Sequence, residues 1–147
     1  MKPRLLFSLL ALILALSPAV TRAEGDKPKH DDTELGKSMD TLNKAWRKLR
    51  RQAADPAQNA DSLALLVTIQ AAANENLKYT PDLARDIPAE KRDKFVAGYR
   101  AKMQEMIKAF AEVETAFKAG DNKKAVDLIT QIAALQKEGH KEYKRPD

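Results

Sequence analysis

Two side chains in this sequence carry neutral donor atoms at places where a helix would aim them inward. One is the thioether of Met39, in SMDTLNKAW (Ser38 to Trp46). The other is the imidazole of His140, in ALQKEGHKEYKR (Ala134 to Arg145). Taken singly, neither says much: Met39 reads as a core methionine and His140 as a packed or rim histidine. The second histidine, His30, sits in the polar run EGDKPKHDD and reads as solvent-exposed. Whether Met39 and His140 do chemistry together depends on whether the fold makes them face the same space.

Several other chemistries are excluded by residue type. The chain has no cysteine, which removes disulfides, thiolate metal sites, Cys nucleophiles and covalent haem attachment through C-x-x-C-H. In that last motif the cysteine positions before His140 are held by Gln136 and Gly139. A di-iron bundle needs inward Glu-x-x-His pairs, but Lys137 and Lys27 stand three residues before the two histidines. No Ser/His/Asp hydrolase pattern is visible.

The elements that must position the two donors are all helical. Apolar residues recur at Leu35, Met39, Leu42, Trp46, Leu49 and Ala53, in alternating steps of four and three, the mark of one helical stripe facing a core. Asp31 with Glu34 reads as a capping pair, and Asp55-Pro56 ends this helix. A second helix is predicted from about Gln58 to Tyr79, with Leu63, Leu66, Ile69/Gln70, Ala73 and Leu77 on its core side, stopped by Thr80-Pro81. Thr80–Pro88 is the longest connection, and Pro88-Ala89-Glu90 reads as a first helical turn. The third helix carries Phe95, Tyr99, Met103, Met106, Phe110, Val113 and Phe117 and closes at Gly120. The fourth, capped by Asp121 or Asn122, carries Ala125, Val126, Ile129, Ile132, Ala133, Gln136 and His140 and ends near Tyr143. Four helices of similar length, about 30 Å each at 1.5 Å per residue, predict an all-α, antiparallel up-down-up-down four-helix bundle over residues 33–147.

The N-terminus reads as an address. Lys2 and Arg4 precede an apolar run ending at Leu16, then Pro18 and the small-residue site Thr21-Arg22-Ala23. That is a secretory signal peptide over 1–23, with cleavage after Ala19 as the alternative, and its apolar run is shorter than the about 20 residues a bilayer span needs. Residues 24–32 read as a flexible leader. Removing 1–23 takes away three basic residues and no acids, leaving 23 basic against 21 acidic in 124 residues. The expected product is one periplasmic domain, near neutral, with no nucleic-acid partner and no membrane attachment after cleavage. The basic run KAWRKLRR (Lys44 to Arg51) reads as a solvated face or as a docking patch for an acidic partner.

In this topology the first helix starts where the fourth finishes, so Met39 and His140 come to one end although 101 residues separate them. Both lie on apolar stripes and are expected to point inward. Ala73 and Leu77 end the second helix there, and Phe95 and Tyr99 begin the third. A thioether facing an imidazole between apolar and aromatic walls matches the needs of a haem iron. Gly139 would let the backbone approach such a bulky group, or else it simply sits where the last turns fray.

At four places the sequence resembles the cytochrome b562 family. SMDTLNKAW resembles its first helix, with Asn-Met-Glu-Thr-Leu-Asn, and GHKEYKR its C-terminal His-x-x-Tyr segment. IQAAANENLKYTP resembles the end of its second helix, and FVAGY its Phe-x-x-Gly-Phe. The resemblance runs from about Thr33 to the C-terminus. It implies one non-covalent haem b per chain with Met39 and His140 as axial ligands, and Phe95 and Tyr99 in the pocket. Leu42, Ala73, Leu77 and Gln136 complete the expected cofactor-binding set. Two departures stand out: helices 2 and 3 are several residues longer, and Gln136 replaces a basic residue. The implied function is that of a monomeric periplasmic electron carrier serving transient redox partner proteins, not an enzyme. The alternative from another class is a haem-free periplasmic helical chaperone or stress-response binding protein.

Overall fold

The structure, a computed structural model, describes residues 33–145. The expected signal peptide, the leader with His30, and Asp31 lie outside the described residues. Four helices follow in order: α1 (Glu34–Gln52), α2 (Asn59–Asn76), α3 (Ala89–Lys118) and α4 (Asn122–Tyr143). Short 3-10 turns at Pro56–Gln58 and Asp82–Asp86 break the first two connections, and no strand occurs among the described residues. The expected four-helix bundle is what forms.

The end where α1 meets α2 and α3 meets α4 is closed by side-chain amides. Asn122 is buried and donates both to the Ala53 carbonyl at 2.8 Å and to Asn59 Oδ1 at 2.7 Å. Asn59 returns a bond to Asn122 Oδ1 at 3.1 Å. The α3–α4 link is minimal because Gly120 takes φ +71°, the left-handed conformation that costs an L side chain. There the Asp121 N–H reaches the Ala116 carbonyl and the Gly120 N–H the Phe117 carbonyl, at 2.9 and 3.0 Å. Asp121 then caps α4 by accepting from the Lys124 N–H at 2.9 Å.

Two boundaries and the relative helix lengths differ from expectation. Thr33 caps α1, accepting from the Gly36 N–H at 3.0 Å, in place of the Asp31–Glu34 pair. The second helix stops at Asn76 rather than Tyr79, and its buried stripe is Ser62, Leu66, Ile69, Ala73 and Asn76, one position earlier than Leu63 and Leu77 at the two ends. Polar residues hold those stripe positions because each has a structural partner; Gln52 Nε2, for instance, donates to Ser62 Oγ at 3.0 Å. The helices are also unequal: α3 has 30 residues against 18 in α2. The first turns of α3, Ala89 to Lys94, are exposed and overhang the core. Arg92 ties them down by donating to the Ala84 and Ile87 carbonyls at 2.9 and 3.1 Å.

Trp46, Leu49, Leu66, Ile69, Met103, Phe110, Val113 and Ile132 fill the centre, with Trp46 edge-on to Phe110 at 5.6 Å. At the other, open end an aromatic trio takes over. Tyr143, near the finish of α4, packs against Phe95 at 5.1 Å and Tyr99 at 5.8 Å between ring centres. Its hydroxyl lies over Gly98, where an added Cβ would come within 2.6 Å of Tyr143 Oη. At Gly139 an added Cβ would meet no protein atom within 4 Å. The close approach within this fold is thus made at Gly98. Gly98→Ala should lower stability by about 1–3 kcal/mol, since Tyr143 is held by two neighbouring rings. Gly139→Ala should raise it by up to about 1 kcal/mol through helix propensity. Urea unfolding of both variants checks this; shifts of the same sign and size would contradict it.

Candidate functional site

One polar bridge sets the register of α1 against α4. Gln136 accepts from Trp46 Nε1 at 3.1 Å and donates to Asn43 Oδ1 at 3.0 Å. Its level therefore falls between residues 43 and 46 of α1. Counted at about 1.5 Å per residue along antiparallel helices, Met39 lies about 8 Å from this bridge toward the open end, and His140 about 6 Å. The two are level to about 2 Å on this count. Met39 precedes Asn43 by four and Trp46 by seven, and His140 follows Gln136 by four. Helical periodicity thus puts each on the flank its helix turns toward the other.

The helix pair that carries those flanks is not among the closely packed ones. Packing is close between α1 and α2, α2 and α3, and α3 and α4, while the α1 and α4 backbones draw near at isolated points at most. Met39 is half-buried there, and His140 is exposed rather than inward-pointing. The apolar stripe of α4 ends at the Gln136 level, and beyond it Tyr143, not His140, fills the bundle interior.

Met39 is held from the side of α2. Its Sδ accepts from Asn76 Nδ2 at 3.3 Å. The Asn76 carbonyl in turn accepts from the Tyr99 hydroxyl at 3.1 Å. Asn76 is fully buried, and its Oδ1 has no hydrogen-bond partner among the described residues. A buried polar atom left so costs about 1–3 kcal/mol.

The remaining expected residues divide. Leu42, Ala73 and Tyr99 are buried in the core at this end, and Leu77 and Phe95 are half-buried beside it. Gln136 is occupied by its bridge, one turn deeper. Met103 is buried core and Met106 packs against it; Trp46 is core as expected. Sequence reasoning missed Asn76 and Tyr143. Asn76 follows Ala73 by three on the α2 stripe, and Tyr143 follows His140 by three, so spacing alone pointed to both. Of the basic run, Lys44 pairs with Asp40 and Lys48 with Asp61. Arg47, Arg50 and Arg51 surround an open depression of about 310 Å³, with Arg50 also over the Trp46 ring.

The donors at the open end suit a haem iron better than a hard cation. Both candidate ligands are neutral, one a thioether. No group of three or more His, Cys, Asp or Glu able to hold a metal ion occurs among the described residues. No helix among them is long and apolar enough to cross a membrane.

Burial pushes the Tyr99 hydroxyl up to about 12. Tyr143 is raised likewise, first by burial and then by donating to Glu142 Oε1 at 2.9 Å. In the unfolded chain both ionise near pH 10. The folded state therefore holds more protons between about pH 10 and 12, and stability falls as pH rises through that window. Tyr99→Phe should be less stable at pH 8, by about 1 kcal/mol for the lost bond, yet lose less than wild type between pH 8 and pH 11. Urea unfolding at the two pH values checks this; equal losses would contradict it.

A family model described as Cytochrome b562 matches residues 34–144. Comparison with curated proteins gives no match. The matched span takes in all four helices, the Gln136 bridge and both candidate ligands. The chain belongs to the cytochrome b562 family, haem-binding bundles of the electron-carrier type and not a class of enzyme.

Proposed function

We propose that this protein carries single electrons in the periplasm, with one haem b held non-covalently between Met39 and His140. The observation that carries this reading is the Gln136 bridge, from which helical rise puts a thioether and an imidazole at one level on the flanks of a loosely packed helix pair. The absence of cysteine fits non-covalent binding. Haem bound there supplies an iron that takes up and gives back one electron.

The chain's own residues account for the rest. Met39 and His140 would hold the iron through two protein donors, which would favour electron transfer over substrate or oxygen chemistry. A thioether ligand raises the potential relative to two nitrogen ligands. Phe95, Tyr99, Tyr143 and Leu77 keep water from the inner side. His140 sits exposed on the last turn of α4, at the level of Met39. The signal-peptide pattern over 1–23 supports export. Arg47, Arg50 and Arg51 offer a basic surface on which an acidic redox partner docks transiently, and the carrier works as a monomer. The other reading, a haem-free periplasmic helical binding protein, is favoured by the exposure of His140.

Hemin titration separates the two. Saturable one-to-one binding, with a low-spin six-coordinate spectrum on reduction, is the expected result; no saturation would contradict the haem reading. Met39→Ala should still bind haem, but more weakly, with a high-spin or water-ligated iron and a lower potential. The bundle should survive, because truncating this half-buried side chain costs about 2 kcal/mol. A Met39→Ala spectrum identical to wild type would remove Met39 from the ligand set.

A further inference from the structure

Asn76 closes α2 at full burial, and half of its side-chain amide has nothing to bond. Its main chain is fixed: the carbonyl accepts from the Tyr99 hydroxyl at 3.1 Å and from the Tyr79 N–H at 3.3 Å. From that anchored backbone, Nδ2 reaches Met39 Sδ at 3.3 Å while Oδ1 stays without a partner among the described residues. Turning the amide over would set Oδ1 against the sulfur lone pairs and lose the one bond the side chain makes. A leucine, branched at the same carbon, would take the position without an orphaned oxygen. A half-satisfied amide in a core is costly, and local violations of this kind mark functional positions. Here the bond it makes goes to the sulfur of a candidate ligand.

A thioether sulfur has two lone pairs. We propose that Asn76 is a positioning residue for Met39: its amide N–H occupies one lone pair and so presents the other, in a single configuration at sulfur, to the haem iron. This rests on the reading of Met39 as a ligand. The same bond draws electron density from sulfur, which weakens donation to ferric iron and so favours the ferrous state. Asn76 thus raises the potential beyond what the thioether does alone.

The test is proton NMR of the ferrous, haem-loaded protein together with its reduction potential. In wild type, one Met39 methyl resonance should be moved upfield by the porphyrin ring current. The Asn76 amide protons should exchange with solvent more slowly than those of Asn74, which is exposed. In Asn76→Leu the methyl should remain ring-shifted, but displaced or broadened as two sulfur configurations interconvert, and the potential should fall. An unchanged methyl position and potential in Asn76→Leu would overturn the role of Asn76 while leaving Met39 as ligand. Should that variant not fold, wild-type Asn76 amide protons exchanging as fast as those of Asn74 would overturn it equally. No ring-shifted methionine methyl in wild type would overturn Met39 ligation, and this inference with it.

Discussion

The Gln136 amide is the hinge on which the open end depends. Its oxygen takes the Trp46 indole proton and its nitrogen gives a proton to Asn43, so both of its polar groups are used across one helix pair. Apolar contacts are non-directional and tolerate sliding; a two-point amide bridge does not. The sequential pairs are held by close packing and by their links, whereas α1 and α4 share no link and take their register from this bridge. With the register set, everything one turn further out follows: Met39 and His140 level with each other, and Tyr143 turned inward over Gly98.

The two ends of the bundle differ in how fully their buried polar groups are satisfied. At the closed end no buried side-chain nitrogen or oxygen among the described residues lacks a partner. Asn59 and Asn122 bond reciprocally, Asp121 caps, and Gly120 supplies the one left-handed residue. At the open end the rules are relaxed. The connection from α2 to α3 is long, α3 overhangs the core, and Asn76 carries a buried oxygen without a partner among the described residues. The aromatic trio of Phe95, Tyr99 and Tyr143 compensates with ring contacts. Incomplete polar satisfaction thus falls at the end where we propose that haem is held.

Much of this was legible in the sequence, for reasons that differ by element. The stripes of α1, α3 and α4 are carried by large apolar residues at regular spacing, so periodicity read them correctly, in α4 as far as Gln136, and Gly120 marked its own turn. In α2 the periodicity misled, because Ser62 and Asn76 hold stripe positions that hydropathy assigns to their apolar neighbours Leu63 and Leu77. Burial of a polar residue depends on a partner from another helix, which no local pattern shows. The same holds for Gly98 and Gly139: the functional suspicion fell on the glycine next to the histidine, while the crowded one faces Tyr143 from a different helix. His140 was expected inward because α4 stays periodic to its end; its exposure follows from Tyr143 taking the interior place three residues later.

The central claim is that the α1–α4 register brings one sulfur and one imidazole to the same haem. X-ray absorption at the iron edge of the ferric, haem-loaded protein tests it most directly, because sulfur and nitrogen scatter distinguishably. The account predicts a first shell of one sulfur and five nitrogens, with the sulfur lost in Met39→Ala and one nitrogen lost in His140→Ala. A shell of nitrogen and oxygen alone in wild type would contradict it.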